Sequence, residues 1–209
     1  RFERKGAEQV NLPKKRTVMR MALIPVFLVF MLVESIPHRY LIAAVIFAAA
    51  SFTDYLDGHI ARRDGLVTNF GKLMDPLADK LLVFSALVCF IELEMSSALI
   101  VFIILAREFL VTSVRLIAAE QGTVIAADIW GKMKTVSQII WVLVALIALW
   151  LEESWPLFMT VSPGASAPPA PVIFLIGLSF VIQTIVVILT VFSGFNYIWK
   201  NRSLLGDIK

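Results

Sequence analysis

The sequence predicts an all-α integral membrane protein, a six-transmembrane-helix bundle preceded by a short juxtamembrane segment. Three observations predict it. Hydrophobic residues make up 59% of the chain and charged residues 17%, with a mean hydropathy of +0.84, whereas about a quarter of a soluble domain is charged. Six apolar runs occur, near the ~20 residues that a hydrocarbon core of ~30 Å demands of a spanning helix. The runs are continuous in Leu, Ile, Val and Phe and lack the alternation of barrel strands, so helices are the form that satisfies their backbone in lipid.

Residues 1–16 contain no apolar core of the signal-peptide type. They are expected to remain as a basic segment on the anionic cytoplasmic leaflet, with Pro13 breaking it from the first span. The spans are expected at 18–33, 40–61, 71–91, 97–119, 132–151 and 172–199, in one domain over 17–200, with 201–209 as a cytoplasmic tail. The stretch "SPGASAPPAPV" at 162–172 is rich in turn formers and reads as the loop before the last span. No internal repeat or low-complexity tract interrupts the domain.

Six spans put both termini on one side, and that side collects Arg1, Arg4, Lys5, Lys14, Lys15, Arg16, Arg62, Arg63, Lys200, Arg202 and Lys209. The opposite loops hold only Arg39, so both termini are expected in the cytoplasm. The net charge of +3 does not indicate nucleic acid, because the basic residues are juxtamembrane and no nucleic-acid motif accompanies them. Cys89 lies mid-span and reads as a small core residue rather than part of a disulfide framework.

One stretch departs from the apolar pattern: "DYLDGHIARRDGLVTNFGKLMDPLADK", residues 54–80. Asp54 and Asp57 are three apart and Asp75 and Asp79 four apart, spacings that put each pair on one helix face. The short connection 63–70 makes the two helices antiparallel neighbours, so four carboxylates converge. Capping, or pairing with Arg62, Arg63 or Lys80, would account for a single aspartate. Four at facing positions repel one another unless a cation offsets them. Hard oxygen donors without a thiolate select Mg²⁺ or Mn²⁺ over zinc.

Gly58, Ala61 and Gly71 lie within a turn of these aspartates and keep the face free of bulk. A diphosphate-linked nucleotide fits there, with Arg62 offsetting phosphate charge; helix packing through small residues is the plainer reading of each glycine alone. Asp64 reads as a loop residue, and Lys72 and Lys80 as interfacial or pairing residues.

The pattern D-x2-D-G-x2-A-R-x8-G-x3-D-x3-D, at Asp54, Asp57, Gly58, Ala61, Arg62, Gly71, Asp75 and Asp79, resembles the signature of the CDP-alcohol phosphotransferases. The resemblance implies a six-helix homodimeric membrane enzyme that binds two divalent ions through the aspartates, takes a CDP-linked donor and releases CMP. It assigns Asp79 as general base and as a metal ligand. The stretches "NLPKKRTVMR" (11–20), "AREFLVTSVRLIAAEQG" (106–122) and "WGKMKTVSQ" (130–138) are similar to those of bacterial phosphatidylglycerophosphate synthases within that family. That similarity implies CDP-diacylglycerol as donor, glycerol 3-phosphate as acceptor, and a multi-pass protein of the bacterial inner membrane with its active site on the cytoplasmic side.

The residues themselves point to an anionic acceptor. Arg107 and Arg115 are two turns apart on one side of the fourth span, and Lys132 and Lys134 open the fifth. Arginines facing lipid would be costly, so they are expected to face the interior and to hold a phosphate, with Thr135 adding a hydroxyl. Pairing of Arg107 with an acid such as Glu108, and snorkelling of the two lysines, are the structural alternatives. Asn11 and Thr17, with Pro13 and Arg20, are expected at the donor entrance. His38 and His59 carry no ligand pattern. Inositol phosphate, serine or phosphatidylglycerol are the competing acceptors within the family. A cation transporter, the reading from another class, would place its acids near the midplane in repeated halves.

Overall fold

The structure is a computed structural model. It describes residues 21–64, 69–120, 122, 125, 128–159 and 169–202, with side chains for all of these except 54–64, 69–79, 120 and 156–159. Among the described residues the chain is all-helical, without a strand. The helices are α1 (Met21–Leu32), α2 (Arg39–Asp64), α3 (Asn69–Glu92), α4 (Ala98–Glu120), α5 (Ile129–Met159) and α6 (Ala170–Lys200). The juxtamembrane segment 1–16, most of the tail and most of the Pro-rich loop lie outside the described residues.

Two compact units form: Arg1–Cys89 with Leu149–Pro168, and Phe90–Ala148 with Pro169–Lys209. In the first, α2 buries Tyr40, Ala43, Ala44, Phe47 and Ala50, the three-and-four spacing of a single helix face. Phe27 of α1 meets Phe47 with ring centroids 6.2 Å apart. His38, just before α2, has φ 55, and its Nδ1 accepts a hydrogen bond from Trp150 Nε1 at 3.0 Å. Arg39 Nε donates to Glu153 Oε1 at 2.6 Å. This pair gives a reason for α5 to continue to Met159, beyond the apolar run that ends at residue 151: an acid in the extra turns finds a cation at the start of α2.

In the second unit the turn between α3 and α4 is a Schellman motif. Met95 N donates to Phe90 O at 2.9 Å and Glu94 N to Ile91 O at 3.2 Å, so two orphan carbonyls of α3 are satisfied. The left-handed position belongs to Glu94, with φ 56, where glycine is the usual occupant. Phe90 and Met95, the two ends of the motif, are both buried. Ser97 then caps α4 by accepting from Ile100 N at 3.3 Å.

Helix α6 starts from Pro169, whose carbonyl accepts from Val172 N at 2.9 Å. It ends at Asn201, whose side-chain amide donates to Tyr197 O at 2.8 Å. Its buried residues are Val172, Ser179, Gln183, Val186, Thr190, Ser193, Gly194 and Tyr197. They form a seam of three-and-four spacing, and most are small or polar. Phe174, Phe180, Ile185, Ile188, Phe192, Phe195 and Trp199 are exposed instead. A helix that hides serine and glycine while presenting phenylalanine is ordered for lipid, where small residues allow close approach between helices and apolar surface has no water to avoid.

Two helices are long and apolar enough to cross a membrane, Ile129–Trp155 and Ala170–Lys200, with 27 and 31 residues. At ~1.5 Å per residue these reach roughly 40 and 46 Å, more than the ~30 Å hydrocarbon core. The other elements do not meet that description among the described residues. The apolar parts of α1 and α2 are short, Met21–Leu32 and Arg39–Thr53, and α4 carries Arg107, Glu108 and Arg115 within 23 residues.

Candidate functional site

All eight signature residues lie on two successive helices. Asp54, Asp57, Gly58, Ala61 and Arg62 lie in α2, and Gly71, Asp75 and Asp79 in α3. The helical backbone puts Asp54 and Asp57 on one face of α2, and Asp75 and Asp79 on one face of α3. Four residues, 65–68, separate the helices, so the Cα atoms of Asp64 and Asn69 are at most ~18 Å apart. The side chains of all eight lie outside the described residues, as do Asn11 and Thr17 entirely. Among the described side chains no group of three His, Cys, Asp or Glu is placed to hold a metal. The donor set itself, four carboxylates on two linked helices, fits a hard divalent cation.

The expected acceptor residues fall in the second unit, and the structure separates them into an inner and an outer group. The inner group is centred on Glu108. Its Oε1 accepts from Arg107 Nη1 at 2.9 Å and from Lys134 Nζ at 2.6 Å. Side-chain exposures are 11% for Arg107, 11% for Glu108 and 1% for Lys134, so this is a buried ion cluster. Arg107 Nε is buried without a hydrogen-bond partner among the described residues.

Local packing explains how a guanidinium enters this space. Gly131 of α5 and Gly194 of α6 both abut Arg107: a Cβ on Gly131 would stand 3.3 Å from Nη2, and one on Gly194 3.1 Å from Cγ. Both distances are tighter than ordinary van der Waals contact. The arginine stem therefore runs through a notch that two glycines leave open.

The outer group is arranged differently. Arg115 is exposed; its Nε donates to Tyr197 Oη at 3.3 Å, and its guanidinium lies 5.5 Å from that ring's centroid. Lys132 and Thr135 are also exposed, and the Thr135 hydroxyl donates to Gly131 O at 3.0 Å. Nearby, Asp128 caps α5 by accepting from Ile129 N at 3.0 Å, while its other oxygen accepts from Asn196 Nδ2 at 2.6 Å. Lys200 Nζ is 3.6 Å from the same oxygen. Asp128, Asn196 and Tyr197 thus tie the end of α6 to the start of α5 and the end of α4.

Sequence reasoning named Arg107, Arg115, Lys132, Lys134 and Thr135, and missed Gly131, Gly194 and Tyr197. Glu108 stood only as a structural alternative. A signal for it existed: α4 buries Val101, Ile104, Glu108, Val111, Val114 and Ala118, so the glutamate occupies a core position of an otherwise apolar stripe. A buried acid at such a position requires a cationic partner.

Chemically, the inner group is a preorganised ion cluster whose carboxylate holds two cations while the buried Arg107 Nε has no hydrogen-bond partner among the described residues. That is the arrangement expected of a site for an oxyanion. Comparison with known proteins agrees with a phosphate-handling enzyme. A family model described as CDP-alcohol phosphatidyltransferase matches residues 10–196. The chain is 41% identical over 206 residues to a Bacillus subtilis (strain 168) protein named CDP-diacylglycerol--glycerol-3-phosphate 3-phosphatidyltransferase, covering 93% of this chain and 97% of that one. It is 39% identical over 128 residues to a Rickettsia bellii protein of the same name, covering 61% of this chain and 70% of the relative. It is 32% identical over 205 residues to a Mycobacterium tuberculosis protein named "Probable phosphatidylglycerophosphate synthase", covering 97% of this chain and 87% of that protein. With the family model spanning residues 10–196 and the signature lying inside that span, the chain belongs to the CDP-alcohol phosphatidyltransferase family.

Proposed function

We propose that this protein transfers a phosphatidyl group from CDP-diacylglycerol to the primary hydroxyl of glycerol 3-phosphate, giving phosphatidylglycerophosphate and CMP. One observation carries the reading: the similarity to the Bacillus subtilis enzyme of that name runs through 93% of the chain, and this chain carries the aspartate signature on α2 and α3. The buried cationic cluster supports it, because an acceptor bearing a phosphate is what an unused arginine donor would recognise.

In this reading Asp54, Asp57, Asp75 and Asp79 hold two divalent ions, Mg²⁺ or Mn²⁺. When bound, such ions neutralise charge on the donor diphosphate and on departing CMP. Arg62 supplements that neutralisation, while Gly58, Ala61 and Gly71 give the nucleotide access, and Asn11 and Thr17 line its entrance. Asp79 takes the proton from the attacking acceptor hydroxyl. Arg107 holds the acceptor phosphate; Arg115, Lys132, Lys134 and Thr135 contribute charge or hydrogen bonding around it.

The protein is read as a homodimer of six-span chains in a bacterial inner membrane, with both termini and the aspartates facing the cytoplasm. The distribution of lysine and arginine supports this orientation, and the lipid-ordered surface of α6 supports its placement in a bilayer. A purified-enzyme assay with CDP-diacylglycerol and a panel of acceptors tests the function. Glycerol 3-phosphate should give CMP and phosphatidylglycerophosphate. Preference for serine, inositol phosphate or phosphatidylglycerol would overturn the acceptor while leaving the family intact.

A further inference from the structure

We propose that Glu108 is a positioning residue, whose carboxylate, with the clearance left by Gly131 and Gly194, holds the Arg107 guanidinium so that its Nε edge meets the acceptor phosphate. The inference rests on the acceptor reading above. A carboxylate within the apolar stripe of α4 is costly unless paired, and one cation would be enough to pair it. Here a single oxygen, Oε1, takes both Arg107 Nη1 at 2.9 Å and Lys134 Nζ at 2.6 Å. The guanidinium is planar, so anchoring Nη1 at one corner limits where Nε can point. Nε is left buried and without a partner among the described residues, a cost that a purely structural ion pair does not explain and an incoming oxyanion removes.

The two glycines belong to the same device. Both lie inside helices, where alanine is the better former. A methyl group at Gly131 would stand 3.3 Å from Nη2, and one at Gly194 3.1 Å from Cγ, so either would require the arginine to give by a few tenths of an ångström. Lys134, 1% exposed, draws the carboxylate from α5 and so ties the position of Glu108 to a second helix.

The test uses the purified full-length enzyme with Glu108→Gln and Gly131→Ala, measuring kcat and KM for each substrate together with thermal melting. Glu108→Gln should raise the acceptor KM by about tenfold or more while the donor KM stays within about twofold, the size of losing one charge-assisted contact. Gly131→Ala should raise the acceptor KM while the melting temperature holds or increases, a split that a role in folding alone would not produce. Losses shared equally between the two substrates and accompanied by a lower melting temperature would reduce Glu108 to fold support. An unchanged acceptor KM in Gly131→Ala would overturn the positioning role even if Glu108→Gln failed to fold. The wild-type acceptor panel separates this inference from the reading beneath it. Use of a different phosphate-bearing acceptor, with the same KM shifts in the variants, sinks the acceptor assignment and upholds Glu108, whereas preference for an acceptor without phosphate sinks both.

Discussion

Arg107→Ala is the perturbation that bears most directly on the acceptor site. The side chain gives Nη1 to Glu108 at 2.9 Å and keeps Nε buried without a partner among the described residues. If a phosphate oxygen takes Nε, truncation removes at least one charge-assisted hydrogen bond, ~1.5 to 3 kcal/mol, or roughly tenfold to 150-fold in acceptor affinity. The substitution does not orphan the buried acid, because Lys134 Nζ remains 2.6 Å from Glu108 Oε1, so the variant should fold. Arg107→Lys keeps the charge and loses the planar fork, and should fall between wild type and alanine. The assay is initial-rate CMP release, with glycerol 3-phosphate varied at saturating CDP-diacylglycerol and the reverse. An acceptor KM unchanged in Arg107→Ala, or a donor KM that rises by the same factor, would refute the reasoning. Equal values for Arg107→Lys and wild type would show that only charge matters.

Asp57→Asn or Asp75→Asn should abolish metal binding and turnover together, read by titration calorimetry with Mg²⁺ or Mn²⁺ and by CMP release; full activity in excess chelator would exclude the two-ion reading. Asp79→Asn should slow the single-turnover rate far more than it weakens donor binding, and equal losses would make it mainly a ligand. Glu94→Gly should stabilise the protein: relief of a left-handed residue is worth ~1 to 2 kcal/mol against roughly 0.5 to 1 kcal/mol of added chain entropy. The melting temperature of the purified protein should then rise by about 1 to 4 °C, and a fall would mean that the Glu94 side chain contributes more than its backbone costs.

By itself the sequence determined what depends on local patterns. Apolar runs near the length of a bilayer crossing mark where helices form, because backbone groups in lipid have no partner but each other. The spacing of Asp54, Asp57, Asp75 and Asp79 follows from the helical repeat and needs no tertiary information to put each pair on a face. The signature that identifies the family is equally a matter of residue identity and interval. Two features of the fold left little trace in the chain. No glycine announces the Schellman turn, since Glu94 occupies the left-handed position where packing of Phe90 and Met95 outweighs local preference. The seam of α6 is hidden in a run so apolar that hydropathy hardly distinguishes its faces.

Only the tertiary structure decided which cations turn inward. Lys132 and Lys134 both open α5, and α5 beyond them is apolar nearly all round, so its sequence does not say which face is core. The packed helix buries Lys134, Gln138, Trp141, Ala145 and Ala148, a stripe that runs through Lys134 and leaves Lys132 exposed. Lys134 pairs with Glu108, 26 residues away, and the notch that admits Arg107 is cut by glycines of α5 and α6. A buried charge is tolerated only where opposite charge and shape are supplied at once, and here those supplies come from separate helices that chain folding alone brings together.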